Sequence, residues 1–114
     1  MKIALVQMDV VHGQPVENKK HVIEMLERAL DDNPDVIVLP EMWNTGYALN
    51  ELDGLVDKDG LDSQELLSHF ARKHAVAIIG GSVAIEKDGK FYNTTYVYNK
   101  SGYLINTYSK VHLF

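Results

Sequence analysis

The apolar run Val36–Leu39 (VIVL) constrains the possible folds of this chain more than any other feature. Side chains alternate between the two faces of a strand, and here neither face carries a polar group, so the run predicts a strand buried on both sides. Val76–Ile79 (VAII) has the same character, and Ile3–Met8 is interrupted only by Gln7. Strands of this kind belong to sheets covered on both faces, which favours a layered α/β fold.

Two amphipathic helices are predicted between these strands. The first runs from Pro15, a residue suited to the first helical turn, to Asp32, before Asn33-Pro34. The second runs from Asp62 to His74, with Asp62 and Glu65 at capping-box spacing. Apolar stripes at helical spacing predict the inward faces, formed by Val22, Met25, Leu26, Ala29 and Leu30 on the first helix and by Leu67, Phe70, Ala71 and His74 on the second.

The pattern changes after Gly80-Gly81. Turn signals around Lys87–Lys90 and Lys100–Gly102 separate segments that alternate with a period of two. They predict three antiparallel strands, which are Ser82–Ile85, Phe91–Tyr98 and Tyr103–Ser109. The expected architecture is therefore a mixed sheet with two helices on one face and a C-terminal antiparallel meander. A long loop with room for a short helical piece is expected over residues 44–60.

Length and composition narrow the functional classes. The 114 residues suit a single domain, and the net charge of −5 argues against non-specific nucleic-acid binding. No segment approaches the roughly 20 apolar residues of a membrane-spanning helix, nor a secretory leader, so a cytoplasmic protein is expected. The chain has no cysteine, which excludes disulfides, thiolate metal sites and a thiol nucleophile within it. The five histidines show no metal-ligand spacing, and no metal is expected.

One sheet face has no predicted cover. The central strands are apolar on both sides, whereas the two helices can cover one side only. The sequence also continues into an apolar VHLF segment after Lys110, where a polar cap or a docked helix is more usual. These features predict half of a larger fold.

Two charged residues are candidates for chemistry. Glu41 follows Pro40 just beyond the end of the predicted strand Val36–Leu39, where α/β folds commonly carry their sites, although a hydrated surface acid explains its position equally well. Lys110 lies near the end of the last strand, where a solvated lysine is the simpler interpretation. Trp43 and Tyr47 are either loop anchors or pocket walls. Ser82 lacks the surroundings of a nucleophile elbow.

Three segments taken together resemble the N-terminal part of the nitrilase, or carbon–nitrogen hydrolase, superfamily, on its amidase side with omega-amidase-like members. They are KIALVQMDVVHGQPVENKK, VIVLPEMWNTGY and YNTTYVYNKSGYLINTYSKVHLF, and they follow one another with family-like spacing over essentially the whole chain. The resemblance implies a four-layer α-β-β-α sandwich, usually dimeric or larger, in which a second sheet covers the open face. Residues 1–114 then form one incomplete domain.

The resemblance also implies roles for individual residues. The family works with a Glu–Lys–Cys triad and no cofactor; Glu41 matches its glutamate and Lys110 its lysine, while the cysteine lies beyond Phe114. Glu41 is then the general base and acid, Lys110 stabilises the oxyanion, and Trp43 and Tyr47 line the substrate pocket. The expected partners are a small-molecule amide and either a second copy or a complementing C-terminal half, with no nucleic acid or membrane. The chain alone is expected to be inactive.

Three interpretations stay open at this point. The chain is a segment of a carbon–nitrogen hydrolase, a non-catalytic remnant that pairs through its open sheet, or an unrelated flavodoxin-like binding domain. The last requires a parallel sheet with helices on both faces and a phosphate loop, which the C-terminal meander disfavours. A fragment, a truncated gene product and a split protein are equally compatible with the sequence.

Overall fold

The computed structural model describes residues 1–47 and 54–111. The middle of the expected 44–60 loop, His112 and the rest of the apolar tail lie outside the described residues. The elements are β1 (Ile3–Leu5), α1 (Pro15–Ala29, continued by a 3₁₀ turn over Leu30–Asp32), β2 (Val36–Val38), β3 (Asp57–Lys58), α2 (Leu61–His74), β4 (Ala77–Ile79), β5 (Val83–Lys87), β6 (Lys90–Tyr98) and β7 (Leu104–Val111). In the described ranges, neither helix is long and apolar enough to cross a bilayer.

The strands form one mixed sheet, as the sequence predicts. β1, β2 and β4 are parallel neighbours in that order, and β4 and β5 both pair antiparallel with one edge of β6. β7 pairs antiparallel with the other edge of β6 and completes the meander. The two-residue strand β3 pairs parallel with β5 and was not predicted, because so short a segment has no periodicity to recognise.

Both helices contribute to the main hydrophobic core. Its members include Val22 and Leu26 of α1, Leu67 and Phe70 of α2, and, from the sheet, Ile37, Ile78, Tyr96 and Tyr98. Ile37 and Ile78 are fully buried and are paired in register, so the centre of β2 and β4 faces the helices. The apolar stripe predicted for α1 is confirmed.

The opposite face of the sheet is apolar and open. The register places Leu5, Val38, Ile79 and Val97 in one row across four strands, and Ile3 and Val36 lie beside it. Leu5 is 74% exposed and Ile79 is 40% exposed, although both lie on interior-type apolar strands. This surface, called the open face below, is the uncovered side that the sequence predicts.

The open face is expected to drive self-association of the isolated chain, because exposed apolar patches beyond a few hundred Å² are rare on monomers. Ile79→Lys should shift the protein towards monomer in analytical ultracentrifugation. Val16→Lys, which adds the same charge at an exposed apolar position on α1, is the matched control. A native chain that sediments as a monomer at micromolar concentration would contradict this expectation.

The ends of α2 differ from the prediction. The predicted capping box of Asp62 and Glu65 is wrong. The helix begins at Leu61, and its N-cap residue is Gly60, which has no side chain to cap it. Asp57 in β3 accepts hydrogen bonds instead, from the backbone N–H groups of Asp62 at 3.1 Å and Ser63 at 2.7 Å. His74, the last residue of the predicted inward stripe, is exposed, and its ring centroid lies 4.5 Å from that of the Phe70 ring at the rim of the core.

Asp57→Ala should therefore destabilise the fold by about 1 kcal/mol, the usual cost of a lost helix cap. The comparison variant is Glu65→Ala, which changes an exposed acid on the same helix and should have little effect. Thermal unfolding midpoints at one protein concentration measure both. An equal loss in the two variants would show that Asp57 does not cap α2.

Candidate functional site

The segment after β2 is fastened to the link between β4 and β5. Pro40 accepts a hydrogen bond from the Ser82 N–H at 3.2 Å, and Trp43 donates its backbone N–H to the Ser82 carbonyl at 3.0 Å. The Ser82 hydroxyl accepts from the Met42 N–H at 2.9 Å. Ser82 thus holds the turn that begins at Glu41, a structural task that agrees with the absence of an elbow motif around it.

Gly81 makes this close approach possible. A Cβ at this position would collide with the Pro40 carbonyl oxygen and lie 2.6 Å from the Leu39 carbonyl oxygen. Gly81 also has a φ of +60°, which side-chain-bearing residues rarely adopt. The glycine therefore allows the backbone carrying Glu41 to lie directly against the β4–β5 link.

Two buried asparagines hold the rest of the turn and were missed by the sequence analysis. Asn44 pairs with β5 like an extra strand residue, donating Nδ2 to the Ala84 carbonyl and accepting from the Ala84 N–H, both at 2.9 Å. Asn18 on α1 donates to the Asn44 carbonyl at 2.8 Å. A buried asparagine with satisfied hydrogen bonds has no sequence signature, because the same residue is common on exposed loops.

Glu41 and Lys110 line the same cleft on the open face. The cleft has a volume of about 440 Å³, and its walls also include Val38, Leu39, Ile79, Asn93, Thr95 and Tyr108. Glu41 accepts a hydrogen bond at Oε1 from Nδ2 of Asn93, at 3.1 Å. Lys110 on β7 is the cross-strand partner of Asn93 on β6, so the two side chains leave the sheet on the same side.

The two aromatic candidates occupy different environments. Trp43 is only 2% exposed and donates its indole N–H to the Gly80 carbonyl at 2.9 Å, which makes it an anchor beneath the turn. Tyr47 is half exposed near Glu41. Burial and then the hydrogen bond and charge of Glu41 raise the pKa of the Tyr47 phenol. Substrate contact by either residue stays a prediction.

Glu41→Gln should lower the pKa of Tyr47, because a neutral amide no longer opposes formation of the phenolate. Burial remains in the variant, so the shift should be partial. The titration is followed by NMR of ring-labelled tyrosine, with Tyr47→Phe used for assignment. Glu24→Gln, an exposed change on α1, should leave the titration where it was. An unchanged Tyr47 titration in Glu41→Gln would show that the Glu41 carboxylate does not influence the Tyr47 phenol.

A carboxylate and an ammonium on one cleft define what the site can do. The carboxylate can accept and return a proton, and the ammonium can stabilise an oxyanion that forms between them. Among the described residues, no group of three histidine or acidic side chains is placed to hold a metal ion.

Comparison with known proteins identifies the family. The model of the carbon–nitrogen hydrolase family matches residues 2–114. The chain is 45% identical over 112 residues to 2-oxoglutaramate amidase of Bacillus subtilis (strain 168), and 32% identical over 122 residues to omega-amidase NIT3 of Saccharomyces cerevisiae. The alignments cover 98% and 100% of this chain but only 43% and 42% of those proteins. The chain belongs to the carbon–nitrogen hydrolase family, a family of amidase- and nitrilase-type hydrolases.

Solved structures show the same fold. The crystal structure of Saccharomyces cerevisiae Nit3, a member of branch 10 of the nitrilase superfamily, matches with a TM-score of 0.83 and 29% identity. That match covers 98% of this chain and 44% of Nit3. An amidase from Nesterenkonia sp. AN1 matches with a TM-score of 0.81 at 23% identity, which supports the fold alone. The mixed sheet with two helices on one face is therefore the nitrilase-type sheet that the resemblance implies.

Proposed function

We propose that this chain supplies the general base and the oxyanion-stabilising cation of an amidase that hydrolyses small ω-amides such as 2-oxoglutaramate. The observation that carries the proposal is the convergence of Glu41 and Lys110 on one cleft of the open face. The similarity to 2-oxoglutaramate amidase supports the substrate class. The cysteine nucleophile comes from polypeptide outside these 114 residues, which hold none.

The chemistry assigns the proton transfers to Glu41 and the stabilisation of the oxyanion to Lys110. Glu41 takes the thiol proton as the sulfur attacks the amide carbon, and Lys110 stabilises the negative charge on the carbonyl oxygen. Glu41 then returns the proton to the departing ammonia, which leaves a thioester. Finally, Glu41 deprotonates the water that hydrolyses the thioester, and the free thiol is restored. These steps require no metal or organic cofactor.

The open face supports a second part of the proposal. A polypeptide that carries the cysteine covers this face and closes the cleft, either as the remaining portion of one domain or as a separate complementing chain. Homo-oligomerisation through the same surface is the alternative arrangement, and a purely non-catalytic pairing module is the alternative function. A cytoplasmic location fits a small-molecule amidase of this kind.

The test is complementation. The chain is mixed with a polypeptide corresponding to the part of the Bacillus subtilis relative that it does not span, and ammonia release from 2-oxoglutaramate is measured. Activity should appear only in the mixture, and it should be absent when the cysteine of the added polypeptide is replaced by alanine. Complex formation is followed separately by sedimentation. A stable complex without activity would favour the non-catalytic module, and activity of the chain alone would mean a cysteine-free mechanism.

A further inference from the structure

Asn93 is a buried polar residue whose hydrogen bonding is half complete. It lies in the middle of β6 and is 4% exposed. Its Nδ2 donates to Oε1 of Glu41, but within the part of the chain that the structure describes its Oδ1 is buried without a hydrogen-bond partner. A buried acceptor left unpaired costs about 1–3 kcal/mol, so an unmatched oxygen at a candidate site calls for a donor.

Strand register points to Lys110 as the donor, although its ammonium makes no hydrogen bond to Asn93 Oδ1 in this structure. It is the direct cross-strand partner of Asn93, it projects from the same side of the sheet, and it lines the same cleft. Its ammonium carries three hydrogen-bond donors on a flexible stem and can reach a neighbour on the adjacent strand. Glu41 and Lys110 do not form a direct ion pair; among the described residues such pairs join Lys19 to Asp62, Lys20 to Glu17 and Lys100 to Asp35.

We propose that Asn93 is a positioning residue, an amide spacer whose Nδ2 holds the Glu41 carboxylate and whose Oδ1 accepts from the Lys110 ammonium. A primary amide suits this task because it presents donors and an acceptor from one rigid plane. Without the spacer, the opposite charges attract one another across the cleft and form a direct ion pair. Such a pair would occupy the space in which a reacting carbonyl must sit.

The role of the spacer rests on the proposed function, since keeping Glu41 and Lys110 apart matters only if a substrate enters between them. Its geometry can nevertheless be tested without catalysis. A carbodiimide joins a carboxylate to an amine with loss of water, and it does so efficiently only for groups in contact. The Glu41–Lys110 product, quantified by mass spectrometry of the digested protein, therefore reports whether the two side chains touch.

Asn93→Ala should increase the Glu41–Lys110 product at least about fivefold over the native chain, because the freed charges attract each other. Asn93→Gln keeps the amide and should stay near the native yield, and Thr95→Ala changes another residue of the same cleft wall and should have no effect. The Lys19–Asp62 pair, 2.8 Å apart on the two helices, is an internal reference whose product is lost if a variant unfolds. Equal Glu41–Lys110 yields in folded Asn93→Ala and native protein would overturn the proposal.

A second measurement leaves Asn93 in place and covers the case in which its replacement unfolds the chain. The side-chain amide resonances of Asn93 should shift in Lys110→Met, because the variant removes the donor that the proposal assigns to Oδ1 in solution. Lys100→Met removes a lysine from the β6–β7 turn and should leave those resonances unchanged. Asn93 amide signals that do not respond to Lys110→Met would also overturn the proposal, whether or not the complemented chain hydrolyses amides.

Discussion

Glu41→Gln is expected to reduce ω-amide hydrolysis by the complemented chain by about 10⁴- to 10⁶-fold, the range over which hydrolases lose rate when a residue that activates the nucleophile is removed. Glutamine keeps the size of the side chain and can still pair with Asn93, but it cannot accept the thiol proton. Lys110→Met should cost about 10²- to 10³-fold, as expected for one lost oxyanion-stabilising group. Ammonia release under single-turnover conditions measures both effects.

The control variants carry the same changes elsewhere. Glu24→Gln on α1 and Lys73→Met on α2 alter exposed residues of the helical layer, remote from the open face, and should retain native rates. Each catalytic variant should also bind the complementing polypeptide as the native chain does. Rates in Glu41→Gln within tenfold of native would remove the carboxylate from the chemistry, and the proposed mechanism with it.

Gly81→Ala is expected to have the largest effect on stability, about 3 kcal/mol or more, because it combines backbone strain with a steric collision. The new methyl group would meet the carbonyl oxygens of Pro40 and Leu39, which belong to the segment that carries Glu41. The chain can accommodate it only by moving that segment away from the β4–β5 link. The unfolding midpoint should therefore fall, and the hydrogen bond from Asn93 to Glu41 should be weakened or lost.

Gly89→Ala separates the effect of backbone strain from the effect of the steric collision. Gly89 also has a positive φ, +77°, but a Cβ there meets nothing within 4 Å. It should cost only about 1 kcal/mol, the strain of placing alanine in the left-handed region. Thermal unfolding at one protein concentration, together with the Tyr47 titration as a reporter on Glu41, distinguishes the variants. Equal losses in the two would show that the contact with Pro40 is unimportant.

The layered fold follows from patterns that are local in the sequence. Uninterrupted apolar runs predict β2 and β4, a period-two pattern predicts the meander, and a period-3.6 pattern predicts α1, because the burial of each face is encoded in consecutive residues. The same local reasoning exposes the missing cover, since the central strands are apolar on both faces and the two helices can cover one face only. Glu41 is recognisable as a candidate because it lies just beyond the end of β2.

Contacts between distant residues were decided only in the tertiary structure. Asp57 caps a helix from a strand without periodicity, and Ser82 holds the Met42 N–H across 40 positions of sequence. Asn93 looks like an ordinary strand residue until the pairing of β6 with β7 sets it opposite Lys110, and the turn after β2 brings Glu41 to it. The sequence by itself determined which residue types were available to the cleft and which strand faces were apolar. Long-range strand register and the glycine that lets two backbones touch decided which of those side chains meet, because these depend on three-dimensional packing.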